Sequence, residues 1–223
     1  MQTNDANTTN GLKPAVVLGA GGHAGVLLSL LKLKRQPILA VLDDDPSLRG
    51  KPVPGTSVRV AGGLDDVDQY PAEETTLINA IGSTRRPTTR KAVYERMISK
   101  GYTFQTLIHE SAVIAPEVRI HEGVQIMARA TIQPGVTLHP NCLINTSASI
   151  DHDTHIGPHT HIAPGVTICG RVAIGNSCHI GAGATVIQGI SIADSAVIGA
   201  GATVINDIHV GQIMIGTPAK PID

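Results

Sequence analysis

The sequence has almost no aromatic side chains: tryptophan is absent, and three tyrosines and one phenylalanine make up 2% of the 223 residues. Its core must therefore be built from aliphatic and small side chains. Charge of either sign is also in short supply, with a formal net charge of -1, which removes any broad electrostatic basis for nucleic acid or an anionic membrane as the main partner. Cysteine is scarce. Cys142, Cys169 and Cys178 form no CxxC pair and leave an odd thiol, which argues against a disulfide framework and for small buried hydrophobes in a reducing compartment. No eighteen uncharged apolar residues follow one another, and residues 1–13 are polar and Asn/Thr-rich without the apolar run of a signal peptide. A cytoplasmic protein with a disordered first 13 residues is expected. What is abundant is glycine, 24 residues, and proline, 14, beside 42% hydrophobic residues; that combination suggests a repetitive β architecture.

The repeat is explicit. An aliphatic residue occupies every sixth position from Ile108 to Val210, including Ile126, Ile144, Ile162, Ile180 and Ile198. Four residues after each stands a second, mostly small or β-branched register, from Ala112 through Cys142, Thr160 and Ala184 to Met214. The remaining positions are rich in Gly, Pro, Asn, Asp and His, so each hexad reads as a short strand followed by a turn. A helical period of 3.6 cannot place positions six apart on one face. Stacked β coils can: three hexads close one triangular coil, and residues eighteen apart lie one above the other at about 4.8 Å. Residues 106–215 are thus expected to form a parallel β-helix, ended by the Gly216-Thr217-Pro218-Ala219-Lys220 tail within residues 216–223.

Residues 14–105 read as a small α/β, Rossmann-like domain with a parallel sheet. Strands are expected at residues 15–19, 38–42 and 76–81, and helices at 25–34 and 88–100. The Gly19-x-Gly21-x-x-Ala24 turn puts glycines where backbone approaches a phosphate at a helix N-terminus, and Asp43-Asp44-Asp45 ends the next strand. About 90 residues give half of a full dinucleotide fold, so a mononucleotide is the better fit. Strand ends in such a sheet converge, which groups Gly21, Gly22, His23, Asp43, Asp44 and Gly82 around one crevice. The competing structural interpretation is a tight turn with loop-capping aspartates.

Histidine concentrates on the repeats. His161 and His179 are expected to stack one coil apart, which raises a zinc column, but Leu143 and Val197 continue it without a third imidazole. His152 stands two positions after a buried isoleucine, at an outward turn, between Asp151 and Asp153. A neutral imidazole there can take a proton from an attacking amine, with a carboxylate on its other nitrogen fixing the tautomer. A solvated edge histidine is the alternative.

The hexads and the Gly-Thr-Pro-Ala-Lys ending resemble the hexapeptide acyltransferase superfamily, whose prism is a left-handed parallel β-helix and whose chains form trimers with acetyl-CoA between neighbours. Gly-Ala-Gly-Gly-His at 19–23, Asn-Thr-Ser-Ala-Ser-Ile-Asp-His-Asp at 145–153 and His161 together resemble the bacterial nucleotide-sugar acetyltransferases. That group contains UDP-4-amino-sugar and GDP-perosamine N-acetyltransferases and sialic acid O-acetyltransferases. The resemblance implies His152 as catalytic base, Asp153 as the acidic neighbour that raises its basicity, and His161, Gly170, Ala182 and Ala200 as acetyl-CoA contacts. It places the acceptor on Gly21, Gly22, His23, Asp43 and Asp44, and marks the 83–89 segment, with Arg85-Arg86-Pro87, as a departure that could reshape diphosphate contacts. Acetyl-CoA is then a co-substrate, no metal is expected, and the partner is a nucleotide-activated amino sugar, N-acetylated within a homotrimer. O-acetylation, a non-catalytic nucleotide-binding trimer and a zinc lyase stay open as rivals.

Overall fold

A computed structural model describes residues 11–82 and 88–222. The first unit is a four-stranded parallel sheet in the order β3-β2-β1-β4, formed by β1 (Ala15–Leu18), β2 (Ile38–Leu42), β3 (Val60–Gly62) and β4 (Thr76–Asn79). Strand β1 is wholly buried, as an apolar run covered on both sides must be. Helix α1 (Gly22–Leu33) starts three residues earlier than its hydrophobic pattern indicates, at the glycines themselves, and buries Ala24, Leu27, Leu28, Leu30 and Leu31. Because β1 pairs with β2 on one side and β4 on the other, the chain reverses direction across the sheet at the carboxyl end of β1.

Helix α2 (Thr88–Ser99) groups through residue 98 with the second compact unit, which otherwise runs from Phe104 onward. Side chains explain this. Arg90, fully buried, donates from Nε to the Asn141 carbonyl at 3.4 Å, Tyr94 stacks on Phe104 with ring centroids 4.6 Å apart, and Tyr94 meets His159 edge-on at 5.4 Å. Of the 83–89 segment, residues 83–87 lie outside the described residues, as do residues 1–10; Thr88 and Thr89 open α2.

The second unit is the expected prism. Seventeen two-residue strands, from Leu107–Ile108 to Thr203–Val204, each end on a predicted aliphatic position. Their partners are eighteen residues apart and parallel, for example Leu143↔His161 and Ile150↔Ile168. They make three faces. The first begins at Leu107–Ile108, the second at Val113–Ile114 and the third at Arg119–Ile120. Inside, Ile126, Ile144, Ile162, Ile180 and Ile198 are completely buried, as are Ala130, Cys142, Ala148, Cys178, Ala184, Ala196 and Ala202 of the second register. Each such isoleucine contributes roughly 1.5–3 kcal/mol. The two buried threonines of that register satisfy their hydroxyls internally: Thr160 Oγ1 donates to the Gly175 carbonyl at 2.8 Å, and Thr154 Oγ1 to the Cys169 carbonyl at 3.2 Å.

The eighteen-residue period stops short of its expected end. Val210, the last position of the aliphatic series, is 72% exposed, and Ile208 bridges to Ile192 while Met214 pairs with Ile198. The last coil is two residues short around Ile205-Asn206-Asp207, so the inward side chains of the cap come from the second register. The tail then folds back: Lys220–Pro221 pairs antiparallel with the Ile213–Ile215 strand, and the Ala219 N–H donates to the Thr203 carbonyl at 2.7 Å.

Burial pushes the imidazoles of His159, His179 and His139 below the ordinary histidine range; at His159 Glu95 opposes the shift, while Lys91 and Arg90 add to it. An unfolded chain takes up these protons near pH 6.5, whereas the folded prism accepts them only at lower pH. The stabilisation is therefore complete above about pH 7 and is lost as pH falls through the usual imidazole value. Thermal melts followed between pH 8 and pH 5 should show Tm falling on the acid side, and His159→Gln should flatten that fall.

Candidate active site on the prism corners

The corners of the coils dictate where the site residues point. Every sixth residue from Glu117 to Gly201 has positive φ, the left-handed conformation that turns the chain from one face to the next. The position just before it holds proline in five hexads, Pro116, Pro134, Pro140, Pro158 and Pro164, so the coil does not need the N–H at that place. His152, Gly170, Ala182 and Ala200 all occupy this same position. His152, Ala182 and Ala200 are exposed there, whereas Gly170 is buried against the His152 ring.

His152 and Asp153 sit on the corner between the second and third faces. His152 Nδ1 lies 3.0 Å from Asp153 Oδ2, with the two side chains 51% and 64% exposed. A carboxylate at this distance accepts the Nδ1–H, which leaves the lone pair on Nε2. Asp151 acts on the backbone instead, its Oδ1 accepting the His152 N–H at 2.8 Å. Gly170 lies eighteen residues on, directly over the ring, and a Cβ there would be 2.5 Å from His152 Nε2. Gly135, eighteen residues before Asp153, makes the corresponding room beneath the carboxylate, since a Cβ on it would meet Asp153 Oδ1 at 2.5 Å. Two glycines thus flank the pair. Gly135 is absent from the residues that the family resemblance marks, although the eighteen-residue spacing points to it as directly as to Gly170.

Asp153 is itself a left-handed residue, with φ 56°. An L-side chain in that conformation costs roughly 1 kcal/mol, less for Asp than for most. Asp153→Gly should therefore raise the melting temperature slightly while lowering turnover, because the imidazole loses the acceptor that orients it. Equal loss of both stability and activity would assign Asp153 a structural role only.

The other predicted donor-site residues lie elsewhere. His161, on the first face, is directed outward from the coil but is only 7% exposed; its Nε2 lies 3.2 Å from Asn145 Nδ2 and its ring meets His179 edge-on with centroids 5.0 Å apart. Ala182 and Ala200 sit on the corner between the first and second faces. They line a groove of about 450 Å³ with His179, Ile213, Ile215 and Ile222. The sequence did not mark His179 as a groove residue, nor these isoleucines, because the groove depends on the shortened last coil and the returning tail. One prism therefore brings His152 and Gly170 together, and separately Ala182 and Ala200; the second face stands between the two sets.

Among the described residues of one chain no group of three or more His, Cys, Asp or Glu is placed to hold a metal ion. Cys142 is buried and its thiol is pushed up to about 12 by burial; Cys178 is pushed to about 11 for the same reason, which fits neither for nucleophilic chemistry.

In the first unit the glycine turn divides by role. Gly19 has φ +104°, and a Cβ on it would crowd Ile81 and Ala80 at 3.0–3.1 Å, so this glycine is required by packing. Gly21, Gly22 and Gly82 have no atom within 4 Å of a Cβ, and α1 begins at Gly22 with no side-chain cap and no acidic residue in its first turn. The exposed backbone and uncompensated helix N-terminus suit an anionic group. Asp43 is engaged with the turn itself, accepting from the Ala20 N–H at 2.8 Å and the Asp45 N–H at 2.9 Å, and Asp44 accepts from the Leu64 N–H at 2.7 Å. Both aspartates brace the loops around the glycine turn. His23 lies half-buried in the first turn of α1.

Residues 15–97 match the family described as the PglD N-terminal domain, and residues 135–170 the bacterial transferase hexapeptide repeat. No curated protein sequence matches the chain. Among solved structures, the chain is similar to the perosamine N-acetyltransferase PerB of Caulobacter crescentus in complex with CoA and GDP-perosamine. Identity is 31% over 95% of this chain and 98% of that one, with a TM-score of 0.84. A histidine-to-asparagine variant of that enzyme, with the same ligands, aligns at 30% identity over 95% and 98% with a TM-score of 0.86. The acetyltransferase domain of PglB from Neisseria gonorrhoeae aligns at 30% identity over 95% of this chain and 100% of that one, also with a TM-score of 0.86. With the glycine turn at one end of the chain, hexapeptide coils at the other and this likeness spanning both, the chain belongs to the hexapeptide-repeat acetyltransferase family of PerB and PglB.

Proposed function

We propose that this acetyltransferase moves the acetyl group of acetyl-CoA to the amine of a nucleotide-linked 4-amino-4,6-dideoxy sugar, in the cytoplasm. The observation that carries the reading is the half-exposed His152–Asp153 pair lying against the Gly170 backbone, with Nε2 the ring atom nearest Gly170. The amine attacks the thioester carbon, forming the C–N bond as its proton passes to His152 Nε2. The Gly170 N–H stabilises the oxyanion of the tetrahedral intermediate. Collapse breaks the C–S bond, and the proton on His152 passes to the leaving sulfur, releasing CoA thiol and the amide. No acyl-enzyme is needed.

Asp153 holds the imidazole in its Nδ1–H tautomer and favours the imidazolium that forms. His161, Ala182 and Ala200 hold the acyl donor, whose flexible arm suits the apolar groove beside Ala182 and Ala200. Because that groove and His152 belong to different corners, a neighbouring copy in a homotrimer is the economical way to complete one site from both sets. In the first unit, Gly21, Gly22, His23 and Gly82 receive the nucleotide diphosphate, with Asp43 and Asp44 shaping the turn around it. The bound ligands of the perosamine N-acetyltransferase support a nucleotide-sugar acceptor.

The test is a screen of GDP-, UDP- and CMP-linked amino sugars with acetyl-CoA, following thiol release and product mass. A gain of one acetyl group on a nucleotide 4-amino sugar is expected. Transfer only to sugar hydroxyls, or thiol release without any acetylated product, would overturn the reading.

A further inference from the structure

We infer that the backbone N–H of Gln188 is a further contact for the acyl donor, taking the amide carbonyl of the pantetheine arm nearest the thioester. The inference rests on the proposed use of acetyl-CoA in a homotrimer of side-by-side prisms.

The corner that carries His152 has its N–H groups closed up to the imidazole and open beyond it. Its successive positions, eighteen residues apart, are Pro116, Pro134, His152, Gly170 and Gln188. The two prolines have no N–H, and Asp151 Oδ1 accepts the His152 N–H at 2.8 Å. Neither the Gly170 nor the Gln188 N–H has a hydrogen bond among the described residues. Such a group is completed by water or by a ligand. Thr146 and Asn176, at the same hexad position on the other corners, show the alternative: Asn145 Oδ1 and Asp194 Oδ1 accept their N–H groups, each at 2.8 Å.

Gln188 lies one coil beyond Gly170, and the Gly189 N–H donates to the Gly170 carbonyl at 3.0 Å, so the two open N–H groups are spaced by the coil rise of about 4.8 Å. Gln188 is exposed, and a Cβ on Gly189 beside it would have nothing within 4 Å, which leaves room at the backbone. Height along the prism follows residue number, which puts Gln188 beyond Gly170 and Ala182 and short of Ala200. The same heights hold in a neighbouring prism of a closed trimer. A donor with its thioester at Gly170 and its arm beside Ala182 and Ala200 therefore crosses the level of Gln188. The thioester carbonyl takes one N–H of the corner and an amide carbonyl farther along the arm takes the next. Two contacts one coil apart fix the direction of the arm as well as its end, which holds the acyl carbon against His152.

The experiment uses Gln188→Pro in the full chain, which deletes this N–H at a position where five other hexads carry proline. Calorimetric titration with CoA, which keeps the pantetheine amides and needs no acceptor, should show an affinity about tenfold weaker than in the wild type, the loss of one hydrogen bond. KM for acetyl-CoA should rise by the same factor while KM for the sugar nucleotide holds. Gln188→Ala, which removes the side chain and keeps the N–H, should fall well short of that loss. Ala128→Pro, at the same hexad position and outside the proposed site, should bind CoA as the wild type does. Unchanged CoA affinity in Gln188→Pro, or an equal loss in Gln188→Ala or in Ala128→Pro, would overturn the inference. If circular dichroism shows Gln188→Pro unfolded, ¹⁵N-glutamine-labelled wild type decides, with the Gln188 amide assigned by its loss in Gln188→Ala. CoA should move that amide proton downfield and slow its exchange with solvent, and an unmoved signal would overturn the contact. Failure of every nucleotide sugar as acceptor strikes at the proposed function instead, since CoA binding is read without one.

Discussion

Replacing His152 with alanine is expected to lower kcat by about a hundred-fold or more, the usual range for losing a general base, with KM for acetyl-CoA little changed. The expectation follows from position. The imidazole is half exposed, hydrogen-bonded to Asp153 and otherwise close to the Gly170 backbone, so removing it takes nothing from the core. The melting temperature should stay within the effect of an ordinary surface substitution, about 0.5 kcal/mol. A thiol-release assay at saturating substrates measures the first quantity and a thermal melt the second. Near-normal turnover would remove His152 from the chemistry, and a large drop in stability would mean that the loss of rate says nothing about catalysis.

Gly170→Ala should produce a loss of similar size by a different route. A methyl group at this position would lie 2.5 Å from His152 Nε2 and 2.7 Å from Cε1, closer than any real contact, so the ring has to swing away. Displacing a catalytic group by an ångström typically costs about a hundred-fold. The same methyl also crowds the N–H proposed to face the oxyanion. Stability should hold, because the clashing partner is an exposed side chain free to rotate. Gly170→Ala in the His152→Ala background supplies the control: with the imidazole gone the methyl meets no ring, so the two effects should combine far below additively. Full additivity would mean that Gly170 matters for some reason other than its place over His152.

Much of this site could be read before any coordinates. The pairing of His152 with Asp153 follows from adjacency at a turn, and the stacking of Gly170 over His152 follows from a spacing of eighteen. Asn145 was visible as part of the Asn-Thr-Ser run, but its 3.2 Å contact with His161 was not, since it depends on how the side chains of adjacent coils turn. The aspartates at the end of β2 show the limit from the other side. Their motif position suits a nucleotide, and in the fold their carboxylates are engaged by the backbone of Ala20, Asp45 and Leu64. Sequence spacing says which residues come near a crevice and cannot say which of them local N–H groups have already occupied.

By itself the sequence determined the prism, because a buried aliphatic every six residues has one low-energy solution: each coil hides its apolar edge only against the coils above and below. It equally determined the glycine turn at the start of α1, since few residues but glycine adopt the positive φ of Gly19. Tertiary structure alone decided how the last coil closes, where Ile208 and Met214 replace Val210 inside, and so created the groove beside Ala182 and Ala200. It alone also buried the imidazole of His161 against Asn145 and His179. The physical reason is the same in both cases. A period specifies repeated neighbours along one column, whereas a closing turn and the rotamers with which side chains meet are settled by packing in three dimensions.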